Sequence, residues 1–108
     1  MKKWDVEFTD EAKKDHREFN ASVRTQVDKI INRISKNPLP KNEGGYGTPL
    51  GNKRGRNLTG YCKVKLLKLG IRVVYRVVRT DDIMKIIVIA ARADDEVYDI
   101  AVKRAEQE

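Results

Sequence analysis

Cysteine, histidine and long apolar runs are all scarce in this chain of 108 residues. A single cysteine, Cys62, excludes an intramolecular disulfide and gives no sign of an oxidising compartment. No stretch approaches the ~18 apolar residues of a membrane span. Met1–Glu7 carries nothing like the apolar core of a signal peptide, so the cytoplasm is expected. His16 is the only histidine and falls on the polar side of a predicted helix, where solvated surface is expected. A serine or cysteine nucleophile would lack a base partner, and no phosphate-loop pattern occurs. No metal and no cofactor are expected. The most informative gap is one of charge sign. Asp and Glu number 16 in the chain, yet none lies between Tyr61 and Thr80.

Lys and Arg number 23, giving a formal net charge of +7 and a pI near 9.6. That balance attracts polyanions, nucleic acid first among them. Charged residues make up 36% and hydrophobic ones 40%, which suits one folded domain spanning 1–108.

Trp4, Val6 and Phe8 alternate with acids and predict a short strand with one buried face. Thr9 is a candidate N-cap for a helix over Asp10–Phe19, and Ser22 for a second over Val23–Lys36. Val23, Val27, Ile30, Ile31 and Ile34 form the apolar stripe of the second helix, which ends at Asn37-Pro38. From Lys41 to Asn57 glycine is dense enough to predict a long basic surface loop, either a connector or a cationic arm gripping nucleic acid through Lys53, Arg54 and Arg56. Strands are predicted over Gly60–Lys68, Ile71–Thr80 and Met84–Ala91. The third is nearly all apolar, as in a strand covered on both faces. Asp94 is the candidate N-cap of a last helix, Asp95–Glu106. The class is α+β: an N-terminal strand, a helical hairpin, a three-stranded antiparallel meander and a C-terminal helix.

A two-residue turn at Leu69-Gly70 would pair Lys65 with Val74 and Lys63 with Arg76. Lys63, Lys65, Arg72 and Arg76 then share one face, and Cys62, Val64, Leu66, Val73, Tyr75 and Val77 the other. Cys62 reads as a small apolar core residue. Alternating cations can be merely the wet side of a sheet. Like charges facing one another across strands nonetheless sacrifice stability that a polyanion would restore. Crowded lysines and arginines also suit RNA cleavage, which needs a base for the 2′-hydroxyl, cations for the phosphorane and an acid for the 5′-oxygen.

The stretches Leu58-Thr59-Gly60-Tyr61-Cys62-Lys63-Val64-Lys65-Leu66, Gly70-Ile71-Arg72-Val73-Val74-Tyr75 and Ala91-Arg92-Ala93-Asp94-Asp95-Glu96-Val97-Tyr98, with Ala101-Val102-Lys103-Arg104, resemble the RelE/ParE toxin superfamily of type II toxin–antitoxin systems, in its RelE branch. The resemblance implies a ribosome-dependent mRNA endonuclease, or mRNA interferase, working without a metal in the ribosomal A site. Its partners would be the ribosome with its 16S rRNA, mRNA and a cognate antitoxin. By the same resemblance Lys63 and Lys65 match the family's Lys-x-Lys strand and Arg72 its Gly-x-Arg segment. Arg92 and Tyr98 match the arginine and tyrosine that follow. The implied roles are Lys63 or Tyr98 as base, Lys65 or Arg92 as acid, and Arg72 on the phosphate; Arg76, on the same cationic face, is a candidate for binding nucleic acid. The ParE branch offers the alternative, a DNA gyrase inhibitor without nuclease activity. Two features depart from the family pattern: the long Gly-rich segment 41–57, and the acids at Asp94 and Asp95.

Overall fold

A computed structural model describes residues 3–53 and 56–107, with residues 53 and 56 described by their backbone alone. Val6 and Phe8 turn inward from β1 (Asp5–Phe8), as their alternation predicts, and Trp4 just before it is partly buried. Thr9 then caps α1 (Asp10–Glu18), its Oγ1 accepting from the Ala12 N–H at 3.2 Å. The second helix starts earlier than predicted. Asn20, not Ser22, caps α2 (Ala21–Ile34), its Oδ1 accepting from the Val23 N–H at 3.0 Å. The helix also ends two residues before Lys36. Ser35 is fully buried there and donates back to the Asn32 carbonyl at 2.7 Å. Val27, Ile31 and Ile34 are buried along α2, with Val23 and Ile30 packed beside them.

The segment read as a long loop is the main correction. After a 3-10 turn over Lys41–Glu43 the chain forms β2 (Thr48–Lys53), antiparallel to β3 (Arg56–Leu66). Glycine is accommodated here rather than disruptive. Gly51 takes φ +63° where the β2–β3 register slips, and Gly47 lies so close to Tyr75 and Cys62 that a Cβ would collide with both. β4 (Ile71–Val78), β5 (Ile83–Ala90) and α3 (Asp94–Ala105) complete the fold. The sheet has the order β1-β5-β4-β3-β2, with only β1 and β5 parallel. The predicted meander is therefore its centre.

The β3–β4 turn is longer than the predicted two residues. Leu66 pairs with Ile71, so Leu67–Gly70 form the loop, with Gly70 at φ +65°. Lys65 consequently faces Arg72, Lys63 faces Val74, and Tyr61 faces Arg76. The slip moves every pair by an even number of residues, so each side chain stays on its predicted face.

Both sides of the sheet are covered. α1 and α2 enclose one core with Cys62, Val73, Tyr75, Met84, Ile86 and Ile89. The other side packs Leu58, Val74, Ile87, Val88 and Ala90 against Val97 and Ala101 of α3. β5 serves both cores because its side chains alternate between the two faces, and a bulge at Ile87 shifts that alternation by one residue. Cys62 is buried as expected, and burial pushes its thiol up to about 11. Tyr75 is fully buried, and its hydroxyl donates to the Pro38 carbonyl at 2.8 Å. His16 is less solvated than expected. Its Nε2 lies 2.8 Å from Asp28 Oδ1, and its ring meets Phe8 edge-on.

β1 stops at Phe8 opposite Ile86, which leaves the remainder of that β5 edge to be satisfied otherwise. Asp15 and Arg104 take over. Arg104 makes a two-pronged bond to the Asp15 carboxylate at 2.6 and 3.1 Å and donates to the Ile87 carbonyl at 2.7 Å. Asp15 accepts from the Ile89 N–H at 3.0 Å. One ion pair thus completes the strand edge and joins α1 to α3. Removing either partner strands a mostly buried charge together with a backbone group. Arg104→Ala is expected to lower unfolding free energy by about 3 kcal/mol, read from the urea midpoint. A change within about 0.5 kcal/mol, the size of an ordinary surface substitution, would show the pair to be incidental.

Candidate active site

α3 packs on β3, β4 and β5, and its first turn meets the cationic part of β3. Lys63 and Lys65 project from β3 toward that turn, and Arg72 from β4 beside Lys65. All three converge on one carboxylate. Asp94 Oδ1 receives Arg72 Nε at 2.8 Å and lies 3.4 Å from Lys63 Nζ, while Asp94 Oδ2 receives Lys65 Nζ at 3.0 Å.

Asp94 was expected to cap α3. The cap is instead Ala93, which makes no side-chain bond, and Asp94 is the first helical residue. Helical geometry turns its carboxylate away from the helix N–H groups and onto the sheet. The hydrogen bonds from Lys65 and Arg72, with the charge of Lys63, hold its carboxyl well below the usual carboxylate range despite partial burial.

Arg72 is the most constrained member. Its Nη1 also donates to the carbonyls of Gly70 at 2.9 Å and Arg92 at 2.6 Å, and only 19% of its side chain is exposed. The guanidinium therefore ties the β3–β4 turn to the segment entering α3.

The remaining predicted residues sit farther out. Arg92 is exposed, and its Nη1 lies 3.4 Å from Glu96 Oε2. It joins the cluster through its backbone carbonyl and not through its side chain. Tyr98 packs against the second core and donates to the Gly51 carbonyl at 3.2 Å. The contact joins α3 to β2. Lys63, Asp94 and Tyr98 line a cleft of about 170 Å³ walled by Thr48, Pro49 and Leu50 of β2. Arg76 is exposed on the same face of β4, about 13 Å along the strand from Arg72. Arg54 lies outside the described residues, as do the side chains of Lys53 and Arg56.

Two residues were missed because they fell in the presumed loop. Lys41 and Tyr46 border a second cleft, of about 460 Å³, with Thr48, Lys63, Lys65 and Leu67. Tyr46 is 45% exposed, with the Arg33 guanidinium 5.8 Å from its ring centroid. An aromatic residue between glycines in a basic segment was the available signal. Taken together, the arrangement can bind a tetrahedral oxyanion with three cations and present a tyrosine beside it.

Comparison with solved structures gives a consistent picture. The chain is similar to the Escherichia coli toxin RelE in its free state, solved as a double arginine-to-alanine variant, with a TM-score of 0.72 and 26% identity over 95% of this chain and 98% of that one. The isolated E. coli RelE toxin gives 0.65 and 26% over 94% and 98%. The RelBE2 toxin–antitoxin complex from Mycobacterium tuberculosis gives 0.68 and 23% over 87% and 97%, a likeness of fold. No protein-family model and no curated protein matches the chain.

The charge cluster makes a pH prediction. Asp94 titrates below its ordinary value of 3.8 in the folded state, so its stabilising effect is present above that value and is lost as the pH falls through the folded one. Wild type is expected to be more stable than Asp94→Asn at about pH 6, with the difference closing below about pH 4. Urea midpoints across that range test this. A difference independent of pH would show that the carboxylate charge is not what matters.

Proposed function

We propose, for a chain that belongs to the RelE-like toxin superfamily, that it is the toxin of a toxin–antitoxin pair and cuts mRNA on the ribosome. The observation carrying this reading is the convergence of Lys63, Lys65 and Arg72 on a single pair of oxygens. A phosphodiester offers the same donors two non-bridging oxygens at similar spacing. Arg72 is anchored by two carbonyls, so its guanidinium is held in place to bind those oxygens as negative charge builds.

In the reaction the 2′-oxygen attacks phosphorus, forming the P–O2′ bond as P–O5′ breaks. The 2′-hydroxyl proton passes to a base, either Lys63 or Tyr98, which line one cleft. The 5′-oxygen leaves as a hydroxyl after taking a proton from Lys65 or Arg92. The products are a 2′,3′-cyclic phosphate and a 5′-hydroxyl. This chemistry calls on no metal. Arg76, with Lys53, Arg54 and Arg56, is assigned to the nucleic-acid backbone, where cations position without reading sequence.

Dependence on the ribosome is part of the proposal. The site's cations would bind phosphate wherever RNA presents it, and the ribosome would supply the template that orients the 2′-hydroxyl for attack. The site of action is the cytoplasm, and no helix among the described residues is long and apolar enough to cross a membrane. The proposed protein partner is a cognate antitoxin. E. coli RelE has been solved with a peptide of its antitoxin RelB.

Primer extension on a defined mRNA in cell-free translation tests the reading. Wild type is expected to give codon-positioned cuts that require ribosomes. Lys65→Ala and Arg92→Ala are expected to lower cutting by about 10²-fold or more, the usual cost of removing one charge-stabilising or proton-donating group. Intact mRNA, with inhibition of gyrase supercoiling instead, would overturn it in favour of the ParE-type activity.

A further inference from the structure

The three cations are already occupied. Their partner is neither solvent nor a distant surface acid but a carboxylate on the first turn of α3, bonded to Lys65 and Arg72 and paired with Lys63. Its two oxygens divide the donors as two phosphate oxygens would, with Arg72 and Lys63 on Oδ1 and Lys65 on Oδ2. We propose that Asp94 is the resident anion of the phosphate seat: it stands where the phosphodiester binds, and the substrate has to displace it. The proposal rests on the phosphate-binding reading of this site and adds a built-in competitor to it.

Displacement requires no rearrangement of the fold. The Asp94 side chain is 42% exposed, whereas Val97 and Ala101, which hold α3 to the sheet, are buried. Rotation about the Asp94 Cα–Cβ bond releases all three cations while the helix stays in place. Arg72 keeps its two carbonyl bonds during that change, so the seat remains formed when vacated.

This arrangement has two consequences. In the resting protein the repulsion among Lys63, Lys65 and Arg72 is reduced internally, which supports folding without substrate. Free phosphates and unstructured RNA must then compete against an anion tethered at high effective concentration. A substrate held in register by a large template competes far better. The tethered carboxylate therefore favours template-bound RNA over free anions.

Inorganic phosphate is the probe that isolates this effect. Wild type, Asp94→Asn and Asp95→Asn are titrated with phosphate at constant ionic strength while the Arg72 Nε–H resonance is followed by NMR. Asp95→Asn makes the same change in net charge one residue away. Asp94→Asn is expected to bind phosphate at least about tenfold more tightly than both others, the scale of one charge-assisted competitor. In wild type, phosphate is expected to shift the Asp94 carboxyl carbon resonance together with Arg72 Nε–H. That second readout stands even if the Asn variant is poorly folded. Equal affinity in Asp94→Asn and Asp95→Asn, or an Asp94 resonance that ignores bound phosphate, would overturn the proposal. Phosphate binding does not involve RNA cleavage, so failure of the nuclease reading and failure of this inference are separately visible.

Discussion

A helix of 12 residues extends only about 18 Å, and the second face of a five-stranded sheet is wider than that. α3 therefore buries Leu58, Val74, Val88 and Ala90, and leaves a border at the β3–β4 hairpin end of that face to be covered by side chains. The proposed site follows from that shortfall. Lys63, Lys65 and Arg72 occupy the border, half-sheltered by the helix end and half open to solvent. Cations placed there are desolvated enough to bind an anion firmly, yet exposed enough for a large substrate to reach. Their mutual repulsion is offset by Asp94, which the helix brings to the same place.

The opposite end of α3 has a different task. Arg104 reaches Asp15 of α1 and the β5 backbone, closing the strand edge that β1 leaves unpaired. One helix is thus fixed at its far end by an ion pair and along its length by Val97 and Ala101, while its first turn carries the resident carboxylate. Because the anchoring contacts lie away from the cations, exchange of the anion at the seat leaves the packing undisturbed. Stability and binding are carried by different turns of the same element.

Much of this was legible in the amino-acid order. The alternation in β1 and β3, the stripe on α2 and the apolar run of β5 each specify a face, and the structure buries those faces. The two-residue turn at Leu69-Gly70 was wrong, but the slip was even, so the grouping of cations survived it. β2 was hidden because glycine density argues against a strand. Neither the slip in register at Gly51 nor the close approach of Gly47 to Tyr75 is visible without the partners that require them. Asp94 was misread for a related reason. A polar residue before a helix suggests a cap, and only the three-dimensional position of Lys65 and Arg72 shows that its carboxylate has stronger partners.

The central claim is that the cations around Asp94, and not the basic surface in general, perform the chemistry. Single-turnover cleavage on mRNA-programmed ribosomes at saturating protein tests it most directly, with Lys63→Ala compared against Arg76→Ala. Both variants lose one positive charge from the same face of the sheet. The account predicts that Lys63→Ala lowers the cleavage rate by about 10²- to 10³-fold while Arg76→Ala stays within a few-fold of wild type. Equal losses in the two variants, or full activity in Lys63→Ala, would contradict it.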